Sequence, residues 1–278
     1  MYTGASGNRR RAARLPGLTV IRSIGIGALA GLAAGLVVGG LGGRIAMRIS
    51  GAMTDPGLAS FARTENGNAI GEITLGGTFA MFVFGAMVPS LAAGVLYGAL
   101  RPWLAPLGAW RGPALGLALL ALGGSLILEP TNFDFQRFGS PQVNVLTFAT
   151  LIVLLGVAVA WTAEMLERRT ARERYRFLPW IGTLLVLPLA AGSVATVIEA
   201  ALEIAAGHLV NAGHVHLLLL PFAFALPLGL RLAGARGRTI GASSAPDLRP
   251  HLMSYALVSI PPLLSLPSTV DAIWRLLR

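Results

Sequence analysis

Val143-Asn-Val-Leu-Thr-Phe-Ala-Thr-Leu-Ile-Val-Leu-Leu-Gly-Val-Ala-Val-Ala-Trp-Thr-Ala163 carries no charge along its whole length and gives way at once to Glu164, Glu167, Arg168 and Arg169. A helix rises about 1.5 Å per residue, so about 20 apolar residues cross a hydrocarbon layer of about 30 Å. A stretch of this length and composition reads as a transmembrane helix, because in lipid the backbone must satisfy its own hydrogen bonds. Leu75 to Leu100 is equally free of charge and reads the same way. Outward from these two, five further apolar runs qualify: Ser23 to Gly43, Gly112 to Leu128, Phe177 to Ile198, Leu209 to Leu230 and Leu252 to Val270. The expected fold class is all-α, a polytopic transmembrane helical bundle of about seven spans, with a range of about six to eight. The run 252–270 is the least regular. Pro261, Pro262 and Pro267 each remove a backbone donor, which allows this run to be re-entrant or interfacial instead of spanning.

The rest of the chain agrees with a bilayer as solvent. Of 278 residues, 54% are hydrophobic and 12% charged, about half the charge of an ordinary soluble domain, and the mean hydropathy is +0.69. All 22 basic residues are arginine, a usage that points to a GC-rich bacterial genome and so to a bacterial cytoplasmic membrane. A net charge of +10 does not by itself mean nucleic acid, because a nucleic-acid surface gathers its arginines on a folded polar face. Here they fall between apolar runs, and no nucleic-acid partner is expected. The absence of cysteine excludes disulfides, thiolate metal sites, iron-sulfur clusters and cysteine nucleophiles together. No nucleotide-binding loop, kinase motif set or nucleophile elbow occurs.

Orientation follows from the arginines, which accumulate in cytoplasmic loops. With the amino terminus inside, sixteen of the 22 lie on the inner side and six on the outer side. Trp103, Trp110, Trp161 and Trp180 then fall at inner span ends and Trp274 at an outer end, the headgroup level that the indole ring prefers. Residues 1–22 form a basic cytoplasmic segment and residues 23–278 a single integral membrane domain. The first span is expected to be retained, since no small-x-small cleavage site precedes a polar mature region.

The most specific pattern in the chain is Gly27, Gly31, Gly35, Gly39 and Gly43, at four-residue spacing on one helix face. Such a face lets another backbone approach closely. It implies packing against another span of the same chain, or a homo-oligomer or membrane-complex contact through the first span. A glycine-lined pore face is the third reading. Arg44 to Met53 follows as either an outer interfacial helix or a continuation of the first span.

The outer side gathers most of the acids and histidines. Glu199 and Glu203 lie one turn apart at the outer end of the fifth span, followed by His208, His214 and His216. Oxygen and imidazole ligands of this kind suit a cation, and a divalent metal is the one cofactor they allow. The spacing matches no standard metal motif, and His214 and His216 share a side only on an extended stretch. The outer loops add Glu65, Asn66, Glu72, Glu129 and Asp134 as polar candidates for a lid or vestibule. No haem pair is visible, because His251 lies at the opposite depth from the other histidines.

No catalytic residue is assigned from the sequence. The leading functional expectation is small-solute or cation transport through the outer acidic and histidine vestibule. Pro188, Pro221 and Pro227 suit helices that flex around a substrate. The alternatives are a non-catalytic packing or scaffold subunit of a membrane complex and a membrane-embedded, metal-dependent enzyme.

Overall fold

Pro16 opens the first helix, a position where its missing amide would have found no partner. Regular α-helix runs over Pro16–Ala34 (α1), passes through a π-helical stretch Gly35–Gly42 and resumes over Gly43–Ala52 (α2). Arg44 to Ala52 therefore continues the first helical run and is not a separate helix. The computed structural model describes residues 16–55, 57, 75–129, 138–170, 175, 177–188, 190, 191, 221–233 and 252–278.

A second helical run begins at Leu75–Ala80 (α3), passes through π-helix Met81–Met87 and continues as Val88–Leu104 (α4). Pro89 has no amide to offer the carbonyl of Gly85, and the i to i+5 register lies directly upstream of it. A short 3-10 turn, Ala105–Trp110, reverses the chain at Gly108, whose φ of 55° belongs to the left-handed region that glycine tolerates. Arg111–Ile127 (α5) and Pro141–Thr170 (α6) follow, then the shorter apolar helices Leu178–Pro188 (α7) and Pro221–Ala233 (α8), and finally Leu252–Leu277 (α9). All regular structure among the described residues is helical, so the fold class is the all-α bundle. Among the described residues, four helical runs are long and apolar enough to cross a membrane: Gly17–Ala52, Leu75–Ile127, Pro141–Thr170 and Met253–Leu277. The fifth and sixth runs expected from sequence are described only over α7 and α8.

The three prolines of the last run do not break it. α9 is one helix with Pro261, Pro262 and Pro267 inside. Pro261 is fully buried, and the Ser265 hydroxyl donates back to its carbonyl at 3.0 Å, a local bond that commonly accompanies helix bending.

Small residues set the packing. α1 runs antiparallel to α4, with Gly27 against Gly94, Gly31 against Ser90, and Gly35 against both Ser90 and Ala86. The two π-helical stretches meet further along, where Gly39 faces Ala86 and Gly40 faces the Phe82 ring. α5 and α6 repeat the device, Gly112 facing Val157 while Gly116 and Gly156 oppose each other. The core around these seams holds Ile26, Ala30, Leu96, Leu100, Leu115 and Val159. A smaller cluster of Leu128, Val145 and Leu276 closes the far end.

Every described charge lies at one of the two ends. Arg22, Arg101, Arg111, Glu164, Glu167, Arg168, Arg169 and Arg231 occupy one end. Arg44, Arg48, Asp55, Glu129, Asp271, Arg275 and Arg278 belong to the other. Between them the long runs carry 17 to 26 consecutive uncharged residues, about 26 to 39 Å of helix. The perimeter of this band is apolar, with Val37, Leu117, Leu146, Leu184 and Leu263 all exposed.

Candidate functional site

The arginine-rich end is where the most side chains of different helices converge, and a proline begins the arrangement. Pro102 sits inside α4 and has no amide for the carbonyl of Gly98, one turn back. That carbonyl is taken up by other helices. The Ser23 hydroxyl of α1 donates to it at 2.9 Å, and Nη1 of Arg231 at the end of α8 donates at 2.5 Å. A backbone oxygen vacated by sequence thus joins three helices.

Two ion pairs lie beside it. Arg101 grips Glu167 with both guanidinium nitrogens, Nη1 to Oε1 at 2.6 Å and Nη2 to Oε2, the fork geometry that adds direction as well as energy. Arg111 Nη1 pairs with Glu164 Oε1 at 2.5 Å while its Nε donates to the Gly108 carbonyl at 2.7 Å, fixing the turn between α4 and α5. These pairs tie α4 and α5 to α6. Arg22 caps α6 by donating to the carbonyl and hydroxyl of Thr170 at 3.5 and 3.3 Å, a place where a cation also meets the negative end of the helix dipole.

Ser23, Ile26, Gly27, Tyr97, Arg101 and Ala163 line a crevice at this end with no room for a water molecule. The Tyr97 hydroxyl is buried there without a hydrogen-bond partner among the described residues. Trp103 lies in the last turn of α4 and faces inward. It is 6% exposed and donates Nε1 to the Ser254 hydroxyl at 3.0 Å, joining α4 to the start of α9. Trp110, Trp161, Trp180 and Trp274 turn outward.

The opposite end is held by neutral polar groups. Ser50 donates to the Phe138 carbonyl at 3.2 Å, Asn144 Nδ2 to the same carbonyl at 2.7 Å, and the Gly139 amide to Thr54 Oγ1 at 2.9 Å. Gly139 has φ of 67° and faces Ser50 closely, so the turn needs glycine twice over. Arg44 donates to Thr78 at 2.6 Å.

Of the residues singled out from sequence, Gly27, Gly31, Gly35, Gly39 and Gly43 all face the second helical run, Gly43 meeting Met81. Glu129 is exposed just past the end of α5. Glu199, Glu203, His208, His214 and His216 lie outside the described residues, as do Glu65, Asn66, Glu72, Asp134 and His251. Among the described residues no group of three or more His, Asp or Glu is placed to hold a metal ion. Sequence reasoning missed Glu164, Glu167 and their arginine partners, as well as Ala86, Ser90, Gly94 and Gly98. The last four repeat the four-residue spacing of the first span, a signal present in the sequence and not used.

Fold and site together define a class: an all-α bundle of apolar helices, closely packed through glycine, with its described charges confined to two ends. Comparison of the chain with protein-family models, with curated proteins and with solved structures finds no match.

Proposed function

We propose that the chain is a multi-span integral membrane protein of a bacterial cytoplasmic membrane, with about seven spans and its amino terminus inside. We further propose that it serves as a non-catalytic packing or scaffold member of a membrane assembly. Support for membrane residence comes from the uncharged band and its exposed apolar perimeter, which a monomer in water would have to hide. More of the described arginines lie at the end carrying Arg22, Arg101 and Arg231 than at the other, which favours that end as the cytoplasmic one.

The observation that carries the scaffold reading is the close packing of the described helices. α1 and α4 meet backbone to backbone along Gly27, Gly31 and Gly94, and both described carboxylates at the arginine-rich end are already paired. Transporters move helices around a wet, central site, and the described helices are joined where such a site would open. The vestibule and enzyme readings rest on residues 199–216, outside the described region.

Reconstitution into liposomes tests the choice. Vesicles containing the protein are expected to pass protons, sodium and manganese no faster than protein-free vesicles. A cation flux that Glu199→Gln with Glu203→Gln abolishes would overturn the scaffold reading in favour of the vestibule.

A further inference from the structure

We propose that Arg231 binds the phosphate of an anionic phospholipid headgroup at the arginine-rich end of the bundle. This inference rests on the proposed membrane residence with that end inside. Arg231 is half-buried at the last turn of α8, and its single described hydrogen bond is from Nη1 to the Gly98 carbonyl. Its other N–H donors have no partner among the described residues. A neutral carbonyl fixes a guanidinium in place but does not balance its charge. The two described carboxylates at this end cannot do so either, since Glu167 is held by Arg101 and Glu164 by Arg111.

The position is built, not incidental. Pro102 withholds the amide that would otherwise occupy the Gly98 carbonyl, and so creates the acceptor that Arg231 uses. Arg101 lies one turn beyond Gly98 on α4 and is already neutralised, so among the described residues it is Arg231 that stands at this carbonyl without a carboxylate. Exposed Trp110, Trp161 and Trp180 mark the same end with rings that favour the headgroup level. A phosphodiester at that level presents paired oxygens, which a planar guanidinium binds through two parallel N–H bonds. Basic sites between helix ends on the cytoplasmic side are suited to such headgroups.

The test compares melting temperatures in vesicles of phosphatidylcholine alone with vesicles of equal parts phosphatidylcholine and phosphatidylglycerol. A ligand that binds only the folded state raises Tm, so the wild type should melt several degrees higher in the mixed vesicles. Arg231→Gln should lose at least half of that rise. This variant also removes one of the two donors to the Gly98 carbonyl and leaves only the Ser23 hydroxyl, so a second variant separates the two effects. In Pro102→Ala with Arg231→Gln, the new amide at position 102 satisfies Gly98. Its Tm in phosphatidylcholine should therefore recover toward wild type while the phosphatidylglycerol response stays lost. An equal phosphatidylglycerol response in wild type and both variants would overturn the proposal. So would an equally large rise of the detergent-solubilised wild type with inorganic phosphate, which would make free phosphate the ligand. A reporter fusion after Arg238 checks the orientation independently. A cytoplasmic signal there, with no phosphatidylglycerol response, overturns the headgroup site and leaves the membrane reading intact.

Discussion

Gly94→Leu is expected to leave no folded bundle, seen as loss of the cooperative thermal transition and of a single elution peak in detergent. A Cβ at Gly94 would meet the Gly27 carbonyl and stand 2.8 Å from the Gly31 Cα, and one at Gly27 would meet the Gly94 carbonyl in return. These are backbone atoms, so no side-chain tip can swing aside. Overpacking that side chains can absorb costs about 1–3 kcal/mol. Here the two helices must separate, and Gly31, Gly35 and Gly39 lose their partners along the whole seam. Proteins have only about 5–15 kcal/mol in hand. Gly123→Leu is the control, because nothing lies within 4 Å of a Cβ at that position. It should change stability by no more than about 0.5 kcal/mol. A Gly94→Leu protein that melts like wild type would show that α1 and α4 are not joined in this way.

The second large effect is expected at the Arg111–Glu164 pair. The two side chains are 29% and 28% exposed and hold the α4–α5 turn onto α6. Glu164→Leu removes the carboxylate and leaves the guanidinium at the edge of the apolar band, with neutral groups, chiefly the Gly108 carbonyl, for partners among the described residues. A cost of about 1–3 kcal/mol follows, below that of a fully buried pair because water still reaches both groups. Arg111→Leu combined with Glu164→Leu removes both charges and should be less destabilising than Glu164→Leu alone. Thermal unfolding of the three variants in detergent measures this. Simple additivity would contradict a direct pairing of the two residues.

The helical class is legible in the sequence because a long uncharged run such as Val143 to Ala163 admits few other structures. The glycine run of the first span is equally legible as a helix face, but a face does not name its partner. Its partner is the matching series Ala86, Ser90, Gly94 and Gly98, which becomes meaningful only once two small-residue faces are compared. Glu164 and Glu167 are harder to anticipate. Their pairing depends on the register between α4, α5 and α6, and period alone gives direction without register. Trp103 shows what the belt rule leaves open, since that rule concerns depth while the bond to the Ser254 hydroxyl decides that the ring faces inward. Pro102 was readable as a helix irregularity, but the donors that fill the Gly98 carbonyl come from positions 75 residues before and 133 residues after it. The acids and histidines between Glu199 and His216 lie outside the described residues, and their role stays a matter for the flux experiment.

Topology mapping by reporter fusion tests the central claim most directly, which is that this bundle spans a membrane with its arginine-rich end in the cytoplasm. Fusions after Arg101, Arg176 and Arg238 are expected to report the cytoplasm, and fusions after Asn66 and Ser140 the external side. The inverted pattern would place the Arg101–Glu167 and Arg111–Glu164 pairs on the wrong face of the membrane. Cytoplasmic signals from all five would contradict the claim that the apolar runs cross it.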